Sequence, residues 1–316
     1  MKAAAVQMTA ALGEVEKNLE SAKKLAEQAF AAGAEWVVLP EFFPTAMGFS
    51  PAMDRALAAD ADPEAMLVSL AVKHKGVVGG SFIHRRGRDF YNTFALALPD
   101  GTVQYHDKDQ PTMWENCYYR GGSDTGILDT PAGPAGVALC WEMVRTRTAR
   151  RLRGKVNLVV GGSCWWDLPR GIPLLGQRLS ARMDEIMDQT PPALARLVGA
   201  PVVHAAHAGE FSCRLPLAPG VPYQSRFVGR AMIVDGEGNV LARMGKEDGE
   251  GFILADVEPG LVSPTLPLPH RFWIPRLPRT IRLAWAYQNA HGKWTYRLRT
   301  RRKCGEERKS MRGDLF

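Results

Sequence analysis

The sequence predicts an α/β fold. Short apolar runs typical of buried strands alternate with longer amphipathic segments typical of helices, in both halves of the 316 residues. Some neighbouring strands are separated only by a hairpin-length turn such as Pro99-Asp100-Gly101, so we expect antiparallel pairs beside the parallel ones. Neither an internal repeat nor a low-complexity linker interrupts this alternation.

In the first half, periodicity and capping residues define the elements. Residues 14–32 place apolar side chains on one helical face, and Gly33 follows as a stop signal. Asp62 caps a second helix, with Pro63 at its first position. The predicted order is strand 2–8, helix 14–32, strand 36–39, helix 62–75, and strands 77–84, 90–98 and 102–106.

The second half continues the alternation. Strand 136–139 is followed at once by a helix-compatible segment, 142–153, and a helix over 175–198 should be interrupted at Pro191-Pro192. The remaining predicted strands are 156–160, 201–206, 227–234, 240–243 and 251–257.

From about residue 259 the composition changes, because prolines cluster and aromatic residues mix with arginines. We therefore divide the chain into a body, residues 1–262, and an extension, residues 263–316. We expect the extension to pack on the body or on a partner subunit, and its last dozen residues to be loose.

The net charge of +7 belongs to the extension, which holds 13 Lys and Arg against three acidic residues. This leaves the body slightly acidic and argues against a nucleic-acid-binding body. No apolar run approaches the roughly 20 residues of a membrane span, and no signal peptide is evident. The five cysteines form no C-x-x-C pair, so we expect a cytoplasmic protein with reduced thiols.

A cysteine stands at the most informative turn of the chain. The apolar run Gly136–Leu139 delivers Cys140 to the carboxyl end of a strand, and the segment 142–153 follows directly. Such a bend presents a nucleophile at the rim of a sheet, near backbone N–H groups and a helix N-terminus. A local positive field there is expected to raise the thiolate fraction.

Three further residues stand at or just beyond strand ends. Glu41 follows Leu39-Pro40, Lys108 follows the strand ending near His106, and Glu115 lies in the next loop. In an open α/β sheet such positions converge on one crevice, and a thiol, a carboxylate and an ammonium suit acyl transfer. Taken singly, each has a simpler interpretation: Cys140 as a small core residue, and the others as solvated surface charges.

Taken together, these segments resemble the nitrilase superfamily of carbon–nitrogen hydrolases over about residues 2–257. Glu41 precedes Lys108 by 67 residues, and Lys108 precedes Cys140 by 32, in the family's order. The segments that carry the resemblance are Val37-Val38-Leu39-Pro40-Glu41, Tyr105-His106-Asp107-Lys108 and Gly136-Val137-Ala138-Leu139-Cys140-Trp141-Glu142, with Gln7 and Phe227-Val228-Gly229-Arg230 in support.

The resemblance implies a four-layer α-β-β-α sandwich, in which two mixed sheets are flanked by helices. It assigns Cys140 as nucleophile, Glu41 as general base, Lys108 as stabiliser of the oxyanion and Glu115 as a positioning glutamate. The backbone N–H of Trp141 would be the second oxyanion donor. The family pairs into homodimers or higher assemblies through its C-terminal segment, here residues 263–296, and the resemblance implies no metal or organic cofactor.

The substrate stays open between an amide, a carbamoyl compound and a nitrile. The run from Lys108 to Glu115 and the triplet Cys140-Trp141-Glu142 are similar to nitrile-hydrolysing members, whereas Gly161–Trp166 is closer to amidases and carbamoylases. We favour an amide or carbamoyl substrate, releasing ammonia or an amine and the acid. This preference rests on analogy within the family.

Four aromatic residues lie in loops near the catalytic segments: Trp114, Tyr118, Trp165 and Trp166. A pocket lined by them would select an apolar or aromatic acyl group, although packing under long loops is an equal alternative. Five arginines also crowd residues 145–153, where a solvated helix face is the simpler interpretation and carboxylate binding by Arg145 or Arg147 the sharper one.

Other functions have less support. His204 and His207 are three apart in a predicted strand, so they point to opposite faces and make a poor metal pair. The rival class is a non-catalytic binding protein whose basic segment, residues 297–303, contacts nucleic acid. Because all four catalytic positions carry the expected residue types, we regard nucleic-acid binding as the weaker hypothesis.

Overall fold

A computed structural model describes residues 1–57, 59, 61–168, 175–215 and 218–301. Its strands form two sheets, in the orders β5-β4-β3-β2-β1-β14 and β13-β12-β9-β8-β7-β6. Strand β1 of the first sheet is hydrogen-bonded to strand β9 of the second. The first sheet contains β1 (Lys2–Met8), β2 (Trp36–Val38), β3 (Val77–Arg86), β4 (Asp89–Ala97), β5 (Val103–Asp107) and β14 (Gly251–Asp256). The second contains β6 (Ile127–Leu128), β7 (Ala135–Val137), β8 (Leu158–Ser163), β9 (Val202–His207), β12 (Met232–Val234) and β13 (Val240–Arg243).

The two sheets pack face to face. In β1, Ala3 and Ala5 face the second sheet while Ala4 and Val6 face the helices, as the two-residue period of a strand requires. The sheets are joined edge to edge where Gln7 and Met8 pair with Ala206 and His207, in parallel register. The first sheet holds both parallel pairs (β1–β2, β2–β3) and antiparallel pairs (β3–β4, β4–β5, β1–β14).

Helices cover both outer faces. The first sheet is covered by α1 (Val15–Ala31) and α3 (Pro63–His74), and α2 (Pro51–Ala56) lies nearby. The second sheet is covered by α4 (Thr146–Leu152) and α5 (Leu175–Val198). The result is the predicted four-layer α-β-β-α sandwich with two mixed sheets, and the fold class is confirmed.

Helix α5 differs from the prediction because it runs through Pro191 and Pro192 without a break. Each proline removes one backbone donor, so two carbonyls one turn earlier lose their usual partner. The hydroxyl of Thr190 donates to the carbonyl of Ile186, and burial of this segment against the second sheet holds the helix together. Tertiary packing therefore overrides the local signal.

The segment after Cys140 also differs. Cys140–Glu142 is a single 3₁₀ turn, and the α-helix begins only at Thr146. Among the features that were not predicted, the largest are a two-stranded ribbon of β10 (Glu210–Leu215) and β11 (Ala218–Arg226) and a long C-terminal helix, α6 (Arg279–Thr295). The short elements α2 and β6 were not predicted either.

Within its described part, residues 263–301, the extension lies against the body. Asn289 of α6 accepts the N–H of Met113, and the backbone of Ile274 donates to Val144. Gly292 meets Asn116 so closely that a Cβ there would lie 2.5 Å from the Cβ of Asn116. Residues 302–316, which include the end of the basic segment and Cys304, lie outside the described residues. In the part of the chain described here, no helix has the length and apolar character needed to cross a bilayer.

Candidate active site

Cys140 sits on a strained turn beyond β7. Its φ of 47° lies in the left-handed region, which non-glycine residues adopt at a cost of about 1–3 kcal/mol when the surroundings enforce it. The backbone N–H of Trp141 donates to the Cys140 thiol, and that of Met143 donates to the Cys140 carbonyl. The turn therefore fixes the sulfur at the end of the strand.

The structure brings Glu41, Lys108, Glu115 and Cys140 together. Lys108 Nζ lies 2.8 Å from Glu41 Oε1 and 2.7 Å from Glu115 Oε2. One oxygen of each glutamate and the sulfur of Cys140 lie within 4.8 Å of one another. All four side chains are buried, so the group forms one compact cluster beneath the surface.

Glu41 is fixed by groups from three neighbouring segments. Its Oε1 accepts the side-chain amide of Asn92 at 2.8 Å, and its Oε2 accepts the backbone N–H of Cys164 at 3.0 Å. Its carbonyl accepts His207 Nε2 at 2.7 Å. These contacts aim one carboxylate oxygen at Lys108 and fix the other beside β8.

The strand end and a 3₁₀ turn place the other two charges. Lys108 directly follows β5, and its N–H donates to the carbonyl of Asn92. Glu115 lies in the 3₁₀ turn Met113–Cys117, where its Oε2 accepts the N–H of Thr112 and the hydroxyl of Tyr119. Lys108 thus bridges two carboxylates that are each held by the backbone nearby.

Burial sets the protonation of this cluster. Desolvation raises the pKa of Glu41 to about 7, against the attraction of Lys108, which lowers it. Burial alone would lower the pKa of Lys108, but Glu115 and Glu41 outweigh it and hold that pKa well above its usual range. Glu41 is therefore poised to exchange a proton near neutral pH, while Lys108 stays an ammonium.

The expected rise in the thiolate fraction of Cys140 is not found, because its surroundings favour the neutral thiol. Burial first, and then the nearby charge of Glu41, raise the pKa of the Cys140 thiol well above its ordinary value. The positive field of a following helix is also absent from this turn, because α4 begins only at Thr146. The sulfur is therefore a neutral thiol at neutral pH and needs a base as it attacks.

A metal has little place in this cluster. Glu41, Glu115 and Cys140 could each offer a ligand atom, but the ammonium of Lys108 already bonds both carboxylates. A metal cation would have to compete with that charge. His204 and His207 have separate partners, Ser163 Oγ and the carbonyl of Glu41, and burial lowers the pKa of both to about 4.

An apolar cavity of about 180 Å³ reaches Cys140, and we call it the indole-lined cavity. Three of the four predicted aromatic residues line it, Trp114, Trp165 and Trp166, and the rings of Trp114 and Trp166 stack at 4.3 Å. Trp141 also lines it.

Tyr118 does not line this cavity. Its hydroxyl donates to the carbonyl of Gly48 and accepts the N–H of Ser50, and its ring packs near Phe49 in the core under the first sheet. We therefore remove Tyr118 from the proposed substrate-binding residues. Trp114 and Tyr118 are close in the sequence, which suggested a shared pocket. The 3₁₀ turn instead directs Trp114 into the indole-lined cavity and Tyr118 toward Gly48 and Phe49.

Arg145 departs from both interpretations of the arginine-rich segment. It is only 2% exposed, its Nε donates to the carbonyl of Trp141, and its Nη1 lies 2.5 Å from Asp109. It therefore braces the Cys140 turn from behind, and Asp109 already supplies its carboxylate partner. The side chain of Arg147, by contrast, is 71% exposed.

Glu142 is a structural link within the site that was not predicted from the sequence. Its carboxylate accepts the N–H of Leu139 at 2.9 Å and the N–H of Asp109 at 3.1 Å, so it joins the Cys140 turn to the segment carrying Lys108. It also pairs with His106 and Arg151. The available signal was an acidic residue in an otherwise apolar turn, and such a residue indicates no particular role until its partners are known.

His106 enters this network as a cation. Burial would lower its pKa, but Glu142 and Asp124 outweigh that effect and raise it to about 9. In turn, His106 and Arg151 hold the pKa of Glu142 well below its usual range despite complete burial.

Comparisons with known proteins agree with this geometry. The family model described as carbon-nitrogen hydrolase matches residues 2–265. "Omega-amidase NIT2-B" of Xenopus laevis is 31% identical over 54% of this chain and 70% of its own length. "Nitrilase 2" of Arabidopsis thaliana is 30% identical over 49% of this chain and 52% of its own length.

A solved structure agrees as well. The carbon-nitrogen hydrolase from Helicobacter pylori G27 superposes with a TM-score of 0.67 at 20% identity, over 82% of this chain and 89% of that one, which shows the shared fold. The buried Glu41–Lys108–Cys140 arrangement is the kind that a cysteine-dependent enzyme of such a family requires. This chain belongs to the carbon–nitrogen hydrolase family.

Proposed function

We propose that this protein hydrolyses the amide bond of a small molecule through a thioester on Cys140. One observation carries the proposal: a thiol, a carboxylate with a pKa of about 7 and a fixed ammonium meet in one buried cluster. That cluster borders the indole-lined cavity, which can hold an acyl group.

In the first half of the reaction, Glu41 accepts the thiol proton as the sulfur attacks the carbonyl carbon. The C=O electrons move to oxygen, and Lys108 Nζ and the backbone N–H of Trp141 stabilise that oxyanion. When the intermediate collapses, the C–N bond breaks, Glu41 returns its proton to the leaving nitrogen, and ammonia or an amine departs. A thioester remains on Cys140.

In the second half, Glu41 accepts a proton from water as its oxygen attacks the thioester carbon. The same two donors hold the second oxyanion, and its collapse expels the sulfur. The proton on Glu41 then returns to Cys140, and the free acid leaves. Losing one oxyanion donor typically adds about 2.7–4 kcal/mol to the barrier, so Lys108→Ala should lower kcat by at least a hundredfold. Glu115 orients Lys108 throughout.

Amide hydrolysis is preferred over nitrile hydrolysis because the match covers 70% of the omega-amidase relative but 52% of the nitrilase relative. A nitrile stays the second candidate, since the spacing from Lys108 to Glu115 is similar to that of nitrile-hydrolysing members. A carbamoyl compound would follow the amide route. The deciding experiment supplies matched amide, carbamoyl and nitrile compounds and identifies the acid and nitrogen products, with Cys140→Ala as control.

Ammonia release that is equal in Cys140→Ala and wild type would refute the proposal. Salt-sensitive nucleic-acid binding without hydrolysis would favour the non-catalytic alternative, which depends on residues 297–303.

We also propose a homodimer formed through residues 263–296, with residues 1–262 as the hydrolase body. The outward side of α6 and the turn after it expose a row of large apolar side chains, which marks an interaction surface. A second copy of this chain is the occupant we infer. Within residues 263–296 the row consists of Leu283, Tyr287 and Trp294, and Leu298 continues it just beyond residue 296. Light scattering should give twice the chain mass for wild type and the chain mass for Leu283→Glu with Trp294→Glu, and a monomeric wild type would refute it.

For location we propose the cytoplasm. A reducing compartment protects free thiols, including a thiol nucleophile, from disulfide formation. The four cysteines in the described residues are all free, which is compatible with such a compartment. Fractionation of cells that express the tagged chain tests this directly.

A further inference from the structure

We propose that Gln288 of α6 is a specificity-determining residue. It would hydrogen-bond a neutral polar group, such as a hydroxyl, at the far end of an apolar acyl chain in the indole-lined cavity. The substrate class is therefore an uncharged amide with an aromatic-sized acyl body and a distal hydroxyl. This inference rests on the proposed function, because it concerns what the same cluster acts on.

The C-terminal helix forms one wall of the cavity. Ile281, Ala284 and Gln288 line it, together with Cys140 from the strained turn. The spacing of three and four residues places these three side chains on one face of α6. Residues of the extension thus take part in the acyl site of the same chain.

Gln288 supplies a polar group without a partner. Its side-chain Oε1 is buried and makes no hydrogen bond with any described residue. The indole Nε1 of Trp114, on the same cavity, also has none. Buried polar atoms in native proteins are nearly always paired, so unpaired ones bordering a cavity indicate where a ligand supplies the partner. A hydroxyl suits either end of the Gln288 amide, since it both donates and accepts.

Asn289, the residue after Gln288, holds this part of α6 in place. Asn289 Oδ1 accepts the N–H of Met113 and the side-chain amide of Asn116, both at 2.8 Å. These bonds fix α6 to the 3₁₀ turn that carries Glu115. Gln288 therefore stands on a fixed support, as a group that orients substrate needs to.

The rest of the lining favours an uncharged, flat ligand. Trp165, Trp166 and Tyr223 contribute aromatic walls. The acid on the lining, Asp167, is already paired with Lys246 at 2.9 Å and with the hydroxyl of Ser180. Asp167 is therefore compensated within the protein, and the remaining lining side chains among the described residues are uncharged.

The test compares phenylpropionamide with its para-hydroxy derivative in wild type, Gln288→Leu and the matched surface control Gln28→Leu, whose side chain is exposed on α1. Wild type should favour the hydroxylated amide. Gln288→Leu should lower kcat/KM for that amide about tenfold while changing it for phenylpropionamide less than about twofold. Gln28→Leu should change neither.

A second variant protects the test against loss of packing. Gln288→Glu should invert the preference toward the para-aminomethyl derivative, whose ammonium pairs with the new carboxylate. Equal effects of Gln288→Leu on both amides, or no preference change in Gln288→Glu, would overturn the inference while leaving the proposed function intact. A wild-type protein that releases no ammonia from any amide would instead overturn the proposed function.

Discussion

Asn92 is the residue whose replacement tests the electrostatics of the site most directly. Its side-chain amide donates to Glu41 Oε1 at 2.8 Å in a fully buried setting, while its own Oδ1 has no partner among the described residues. Asn92→Leu therefore removes a hydrogen bond that favours the ionised form of Glu41. It also removes the unpaired Oδ1, so the leucine side chain adds no unpaired polar atom. The pKa of Glu41 should rise.

The expected size of that rise follows from the bond. A hydrogen bond to a charged group contributes about 1.5–3 kcal/mol, and about 1.36 kcal/mol corresponds to one pKa unit. The pKa of Glu41, about 7 in the native protein, should therefore move to roughly 8–9. Because the mechanism needs Glu41 deprotonated, activity rises with pH through this pKa.

The assay is kcat/KM for ammonia release between pH 5 and pH 10, where wild type should show an acidic limb near pH 7. In Asn92→Leu the limb should shift upward by about one to two pH units, with rates recovering at high pH. Asn157→Leu, which removes a different side-chain amide bonded to the carbonyl of Ala132, should leave the limb unchanged. A lower rate in Asn92→Leu with an unmoved limb would refute the reasoning.

Three further predictions concern the surroundings of the cluster. Glu142→Gln removes the buried carboxylate that His106 shares with the partly exposed Arg151, and leaves His106 with Asp124 alone. It should lower the free energy of unfolding by about 3 kcal/mol, and a urea titration with an unchanged midpoint would contradict this. The pKa of His106 is raised from 6.5 to about 9, so its contribution to stability is complete below pH 6.5 and is lost as pH rises to about 9. The unfolding free energy of wild type relative to His106→Gln should therefore fall by roughly 3 kcal/mol across that range, and a constant difference would count against the ion pair. Trp166→Ala removes the ring stacked on Trp114 and should shift kcat/KM toward bulkier acyl groups, whereas identical relative rates across an amide panel would exclude Trp166 from the site.

The sequence predicts the cluster well because its members stand at strand ends. Glu41 and Cys140 follow short apolar runs and Lys108 directly follows β5, and strand ends of this kind meet at one edge of a sheet. The family resemblance adds Glu115, which lies in a loop whose path no periodicity specifies. These local signals are reliable because the pairing of the strands fixes where each strand end lies.

Other features depend on distant contacts and have no local signal. Glu142 gains its importance from the N–H of Asp109, 33 residues away in the chain, and Asn92 from Glu41. The protonation of Cys140 follows from its burial, which a strand–turn–helix pattern does not specify. The prolines among residues 264–278 favour an irregular segment, and they give no local sign of helix α6, which begins directly after them.

The most direct test of the central claim is the mass of the protein during turnover. An aromatic amide is mixed with wild type, the reaction is quenched in acid within the first turnovers, and the peptide containing Cys140 is analysed by mass spectrometry. We predict that this peptide gains the mass of the acyl group, bound as a thioester that hydroxylamine removes, and that Cys140→Ala shows neither the adduct nor ammonia release. Steady ammonia release with no adduct on Cys140, or undiminished release by Cys140→Ala, would contradict the account.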